Sequence, residues 1–132
     1  MDDSQEHNLG ALVTQWYKKN GRQNLPWRKS VTPYKVWISE MMLQQTQVVT
    51  AQSYYRKFLK KYPSLSSMKM ATEDDILSLW SGLGYYRRAS FIYQAKEKIF
   101  LDFNGRFPAT YDELITLPGI GRSTAGAILS IA

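Results

Sequence analysis

Apolar side chains recur along most of the chain at intervals of three and four residues, the spacing of one face of an α-helix. No segment shows sustained alternation of apolar and polar positions. The pattern therefore predicts an all-α fold. The predicted helices cover residues 9–17, 33–43, 46–62, 72–80, 89–103 and 110–117, and a last helix begins near Ser123.

Start and stop signals support these boundaries. Thr32 followed by Pro33 is typical of an N-cap and first helical position, and Thr46 is a candidate cap for the third helix. Thr72 and Thr110 are each followed three residues later by an acidic residue, as in a capping box. The helices end at Asn20-Gly21, Pro63, Gly82-Leu83-Gly84 and Asn104-Gly105, because glycine and proline favour helix ends.

The composition fits one globular domain, or part of a larger one. The 132 residues are 44% hydrophobic and 21% charged, which is enough apolar material for a core. The longest apolar runs are far shorter than the roughly 20 residues that a membrane helix needs. The polar, acidic N-terminus is unlike a secretory signal. We therefore expect an intracellular protein without a membrane partner.

Two residue types are almost absent, and this excludes several kinds of chemistry. The chain has no cysteine, so it forms no disulfide and supplies no thiolate to zinc or to an iron–sulfur cluster. Its single histidine, His7, lies near the N-terminus, which excludes a multi-histidine metal centre.

The charge distribution indicates a polyanionic partner. Seventeen Lys and Arg oppose eleven Asp and Glu, for a net charge of +6. Between His7 and Thr72 the only acidic residue is Glu40, among eleven basic ones. Nucleic acid is the partner that such a surface favours. The alternative, a solvated helix face, fits Lys57, Lys60 and Lys61 equally well.

A glycine-rich turn joins the last two predicted helices. Its sequence is Leu117-Pro118-Gly119-Ile120-Gly121-Arg122, followed by Ser123 and a helix of small residues. The N–H groups of such a turn and of the next helix can bind a phosphate, and Arg122 adds charge. An ordinary helix–helix turn is the alternative. The apolar anchors Leu117 and Ile120 favour a helix-hairpin-helix motif that binds the DNA backbone without sequence preference.

Glu40 is the candidate for acid–base chemistry. It follows Trp37 and Ile38 and precedes Met41, Met42 and Leu43 on a helix of apolar character. Most helical glutamates face solvent, but a carboxyl partly removed from water here would have a raised pKa and could act as a general acid. Gln44, Gln45 and Thr46 follow at the helix end, where they could hydrogen-bond base edges.

A second glycine loop, Gly82-Leu83-Gly84-Tyr85-Tyr86, precedes two arginines. We expect it to present Leu83 and Tyr85 as an apolar wedge, with Arg88 behind them, as insertion into a base stack requires. A helix connector with core aromatics is the alternative, and for Tyr86 it is equally favoured.

Together these motifs, with Leu25-Pro26-Trp27-Arg28, resemble those of the MutY-type adenine DNA glycosylases of the helix-hairpin-helix superfamily. The resemblance covers nearly the whole chain from about Leu9. It implies a six-helix barrel domain and removal of adenine mispaired with 8-oxoguanine or guanine in double-stranded DNA. It also implies an enzyme that is monomeric at full length and works in the bacterial cytoplasm, at the nucleoid.

The resemblance also implies roles for individual residues. The glutamate at the position of Glu40 protonates the adenine ring. Gln45 and Tyr85 would wedge into the duplex, and Leu43, Trp27 and Arg28 would line the pocket. The remaining implied DNA contacts are Gln44, Thr46, Leu83, Arg88, Leu117, Gly119, Gly121, Arg122 and Ser123. Relatives of the endonuclease III type carry a nucleophilic lysine at the position of Ser123, so its absence implies a glycosylase without lyase activity.

Three family features have no counterpart in these residues: a catalytic aspartate beyond the hairpin, four cysteines that bind a [4Fe-4S] cluster, and a domain that reads 8-oxoguanine. The last helix also stops in mid-pattern at Ala132. We therefore expect an N-terminal fragment of low stability and no turnover, with residues 1–24 packing on the missing segment and 25–132 forming an incomplete barrel. The alternatives are a non-enzymatic DNA-binding module and a degraded reading frame without function.

Overall fold

The computed structural model describes residues 31–131, and that range is entirely helical apart from its connections. The predicted helix at 9–17 and the segment with Trp27 and Arg28 lie outside it. Six α-helices and one 3-10 turn follow one another within it. They are α1 (Pro33–Leu43), α2 (Val48–Lys61), the 3-10 turn Ser66–Met68, α3 (Glu73–Leu79), α4 (Arg87–Asp102), α5 (Tyr111–Leu114) and α6 (Arg122–Ile131).

The helix starts follow local side-chain chemistry. The Thr32 hydroxyl accepts a hydrogen bond from the Lys35 N–H, and Pro33 occupies the first turn of α1. At α3, Thr72 and Asp75 form the predicted capping box with both reciprocal bonds. Thr110 accepts from the Glu113 N–H at the start of α5. These bonds satisfy amide groups that the first helical turn leaves without partners.

One predicted cap is wrong. Thr46 does not cap α2, because Gln47 occupies the N-cap position and makes no side-chain cap bond. The Thr46 hydroxyl instead donates to the Gln44 carbonyl oxygen at 3.2 Å. The hydroxyl stabilises the turn that ends α1 rather than the start of α2.

Helix α1 lies at the centre of the described fold. It packs against α6, α2 and α4, and every side chain from Val36 to Leu43 is buried. Such a helix is apolar on all sides because neighbours surround it. The core around it also contains Trp80 and Phe58, whose rings meet edge to face at 6.4 Å. Glu40, the candidate acid, is thus surrounded by packed helices on the central element of the described fold.

A buried lysine ties α4 to the segment before α3, and the sequence pattern did not reveal it. Lys96 is only 1% exposed, and its ammonium group donates to the Ala71 carbonyl oxygen at 2.8 Å. It also pairs with Glu97.

Across residues 31–131, none of the helices is both long enough and apolar enough to cross a bilayer.

Candidate active site

Glu40 lies in the third turn of α1 with no exposed surface. Helix geometry places Trp37 and Leu43 beside it on the same face, and both are fully or almost fully buried. Within residues 31–131, neither carboxylate oxygen has a hydrogen-bond partner. The expected apolar environment is confirmed, and the carboxyl is more completely removed from water than the sequence indicated.

This environment changes the acidity of Glu40. Burial raises the pKa of its carboxyl from 4.5 to about 7, because the charged form loses its hydration without gaining a partner. Glu40 also lies in the last turn of α1, where the negative end of the helix dipole opposes an anion. A carboxyl of this kind holds a proton near neutral pH and can donate it to a bound group.

The turn after α1 begins at Gln44, one helical turn beyond Glu40. The Gln44 N–H donates to the Glu40 carbonyl oxygen and ends the helix. Gln45 follows with an exposed side chain and a φ of 57°, in the left-handed region that residues other than glycine seldom adopt. This turn therefore presents a polar side chain to solvent five residues after the buried acid in the sequence. Gln44 and Thr46 are half-buried beside it.

The loop between α3 and α4 presents aromatic rings, as predicted, but not its leucine. Tyr85 is 61% exposed and Tyr86 50% exposed. Leu83 is 8% exposed and belongs to the core, so the expectation that it forms part of an outward wedge is wrong. The 82–84 backbone turns the Leu83 side chain inward, with Gly82 at a φ of 90° and Gly84 at 86°. The outward surface of this loop is therefore formed by the rings of Tyr85 and Tyr86.

Gly82 is required where it stands. A Cβ there would lie 2.5 Å from the Tyr54 hydroxyl oxygen. That hydroxyl donates to the Ser81 carbonyl oxygen at 2.9 Å, which fixes the loop against α2. The Gly82 N–H in turn donates to the Tyr86 hydroxyl at 3.3 Å. The loop is anchored by hydrogen bonds at both ends and presents Tyr85 between them.

Arg88 does not contribute an exposed charge. It is 6% exposed, and its guanidinium donates to backbone carbonyl oxygens of Met41, Met42, Gln44 and Gly84. The expectation that Arg88 contacts DNA directly stays a prediction, while its charge is already occupied by backbone carbonyl oxygens. Desolvation lowers the pKa of its guanidinium to about 10, so the group remains charged at neutral pH.

The hairpin between α5 and α6 has the predicted anchors. Leu117 and Ile120 are buried in the core, whereas Gly121 and Arg122 are exposed. Gly119 has a φ of 78°, and a Cβ there would lie 2.7 Å from Cβ of Phe91. Gly121 does not have a positive φ, so the backbone argument for glycine applies to Gly119 alone. Ser123 is half-buried in the first turn of α6.

The residues present do not fit a metal or cluster. The sequence contains no cysteine. Within the 31–131 range, no three His, Asp or Glu side chains lie close enough together to hold a metal ion. A [4Fe-4S] cluster of the kind that the resemblance implies would need ligands from outside these 132 residues.

Comparison with known proteins identifies the family. Residues 38–128, well over half of the chain, match the model described as HhH-GPD superfamily base excision DNA repair protein. The chain belongs to this superfamily. The match runs from α1 through the hairpin into α6, so it includes Glu40, the tyrosine loop and Gly119.

Curated relatives carry the name adenine DNA glycosylase. The protein of Buchnera aphidicola subsp. Schizaphis graminum (strain Sg) is 55% identical over 124 residues, which cover 94% of this chain and 36% of that protein. The Homo sapiens protein is 41% identical over 132 residues, covering 93% of this chain and 24% of that protein. This HhH-GPD chain therefore spans about a third or less of the length of these relatives.

Solved structures confirm the fold. A thermostable thymine-DNA glycosylase has a TM-score of 0.72 at 23% identity, with 98% of this chain and 60% of that chain covered. A non-covalent endonuclease III–DNA complex has a TM-score of 0.70 at 20% identity, with 96% and 59% covered. The all-α helix-hairpin-helix glycosylase fold predicted from sequence is thereby confirmed.

Proposed function

We propose that this chain is the acid-bearing part of a DNA glycosylase that removes adenine mispaired with 8-oxoguanine or guanine from double-stranded DNA. The observation that carries the proposal is Glu40, a buried carboxyl without a hydrogen-bond partner in the described range and with a pKa of about 7. The name shared by its curated relatives supports adenine as the base. DNA in the bacterial cytoplasm is the proposed site of action.

The proposed chemistry is general acid catalysis of glycosidic bond cleavage. Adenine leaves poorly as an anion, because it must carry away the bonding electrons of the bond to the sugar. A proton delivered by Glu40 to a ring nitrogen makes the leaving group neutral, and the carboxyl becomes a carboxylate. Water then bonds to the sugar carbon in place of adenine, and the proton that this water loses returns to the Glu40 carboxylate, which restores the acid.

The rest of the surface would hold the opened duplex. Tyr85 and Gln45 are exposed on either side of the Arg88 guanidinium, where they could enter the space beside a flipped adenine. The hairpin offers exposed Gly121 and Arg122 at the start of α6 for a phosphate. Residue 123 is serine, so the chain places no amine nucleophile there, and the product should be an intact abasic strand.

A non-enzymatic DNA-binding module would need only the hairpin. Such a module gains nothing from a carboxyl that is buried without a hydrogen-bond partner among residues 31–131, since this burial lowers stability at neutral pH. Glu40 therefore favours the enzyme.

The test joins this chain to the remainder of the Buchnera relative, replacing the 124 matched residues. Adenine release is measured in single turnover on a duplex with adenine opposite 8-oxoguanine. Glu40→Gln should lower the rate by about 10²-fold or more while leaving the affinity for DNA nearly unchanged, because the amide has no acidic proton. Asp102→Asn makes the same chemical change at an exposed position and should release adenine at the unsubstituted rate.

Release of adenine by the Glu40→Gln protein at the unsubstituted rate would assign Glu40 a structural role and overturn the mechanism. The opposite result is an unsubstituted chimera that binds the mispaired duplex and releases no adenine under conditions where the relative itself is active. That result would favour the binding module.

A further inference from the structure

Two of the residues proposed to enter the duplex have an unfavourable backbone conformation. Gln45 has a φ of 57° and Tyr85 a φ of 52°, both in the left-handed region. For residues with a Cβ this conformation costs energy and persists only where surrounding contacts impose it. The two residues lie in different loops, 40 positions apart in the sequence.

Arg88 contacts the backbone beside both of them. It donates to the Gln44 carbonyl, directly before Gln45, and to the Gly84 carbonyl at 3.0 Å, directly before Tyr85. Its Nε also donates to the Tyr85 carbonyl oxygen at 3.4 Å. One side chain therefore fixes the peptide units on which both left-handed conformations depend.

The same guanidinium reaches the helix that carries Glu40. Its Nη1 donates to the carbonyl oxygens of Met41 at 2.9 Å and Met42 at 3.0 Å, in the last turn of α1. Its Cζ lies 5.4 Å from the centroid of the Trp80 ring and 5.5 Å from the centroid of the Tyr85 ring. A planar fork of five N–H donors can reach all five of these carbonyl oxygens at once, whereas an ammonium group has only three donors.

We propose that Arg88 is a positioning residue that holds Gln45 and Tyr85 in their left-handed conformations, so that both reach DNA as one rigid unit. The inference rests on the proposed function for the identity of the ligand, a duplex with a mispaired adenine. The role of Arg88 in shaping the two loops can be measured without DNA.

The first measurement uses the free 132-residue chain and NMR. In Arg88→Lys, the backbone coupling constants and chemical shifts of Gln45 and Tyr85 should move away from left-handed values. Arg106→Lys, the same change at an exposed position in the loop after α4, should leave them unchanged. Left-handed values that persist at both residues in a folded Arg88→Lys protein would overturn the proposal.

The second measurement is a double-mutant cycle on affinity for a short duplex with adenine opposite 8-oxoguanine. Arg88→Lys should weaken binding about fivefold or more, the lower end of what one base–aromatic stack contributes. In a chain that already carries Gln45→Ala and Tyr85→Ala, Arg88→Lys should weaken it less than about twofold. An equal loss in both backgrounds would mean that Arg88 acts on DNA by itself, and would overturn the proposal.

A third measurement needs no variant and covers the case in which Arg88→Lys does not fold. In the unsubstituted chain, backbone order parameters at Gln45 and Tyr85 should match those of the helices, roughly 0.85, and values below about 0.6 would contradict the proposal. Failure of the unsubstituted chain to bind the duplex would count against the proposed function, while the two measurements without DNA would still decide the role of Arg88.

Discussion

The proton affinity of Glu40 should make the stability of the chain depend on pH in an unusual direction. The perturbation is Glu40→Gln, which removes the titrating group and keeps the shape of the side chain. Most carboxyls that change pKa on folding become more acidic, as Asp75 does at its capping box. Glu40 becomes less acidic, because burial is the cause of its shift.

The magnitude follows from the two pKa values. The pKa of Glu40 is 4.5 when exposed and about 7 in the folded chain, so the folded state binds the proton more tightly. The stabilising contribution is fully present below pH 4.5 and is lost as the pH rises through about 7. At about 1.4 kcal/mol for each tenfold change in proton affinity, the loss is about 3 kcal/mol. This loss is a large fraction of the roughly 5–15 kcal/mol that stabilises a typical domain, and a larger fraction for a chain of low stability.

The assay is urea unfolding of the 132-residue chain and of Glu40→Gln, followed by circular dichroism at several pH values from 4.5 to about 8.5. The informative quantity is the difference between the unfolding free energies of Glu40→Gln and of the unsubstituted chain, followed as a function of pH. The amide changes this difference by an amount that does not depend on pH, and the other titrating groups contribute equally to both proteins. As the pH rises, the difference should shift by about 3 kcal/mol in favour of Glu40→Gln. A difference that stays constant within about 0.5 kcal/mol would show that the carboxyl is solvated, and would refute the argument from burial.

Three further predictions concern DNA binding and the hairpin. The logarithm of the chain's binding constant for duplex DNA should fall linearly with the logarithm of salt concentration, and a flat response would exclude a phosphate-contacting surface. Gly119→Val should lower the thermal midpoint and DNA affinity together, because it combines a positive φ with a Cβ 2.7 Å from Phe91. Gly126→Ala is the control, because nothing lies within 4 Å of the new Cβ, and it should stabilise α6 by roughly 0.5–1 kcal/mol. Similar thermal midpoints for Gly119→Val and Gly126→Ala would contradict this prediction. In the chimera with the Buchnera relative, Tyr85→Ala should weaken binding of the mispaired duplex by roughly 1–3 kcal/mol with a smaller effect on the single-turnover rate; unchanged affinity with a slower rate would assign Tyr85 another role.

The sequence by itself determined the helical class, most helix starts and the apolar setting of the candidate acid Glu40. Three-to-four periodicity and side-chain caps are local, so Thr32 and Thr72 could be interpreted without knowledge of the fold. The apolar neighbours of Glu40 lie within one turn of it, and the hairpin anchors Leu117 and Ile120 flank their glycine. Each of these signals is complete within a few residues.

Tertiary structure decided which side of each loop faces outward. Leu83 and Tyr85 both look like exposed wedge residues in sequence, but the glycine backbone turns Leu83 into the core and leaves Tyr85 outside. In the sequence, Arg88 resembles a surface charge. Its guanidinium is buried because it donates to carbonyl oxygens at the end of α1, which lies more than 40 residues earlier in the chain. Partners so distant in sequence leave no local pattern, because the hydrogen bonds that stabilise a buried cation exist only after the helices have packed.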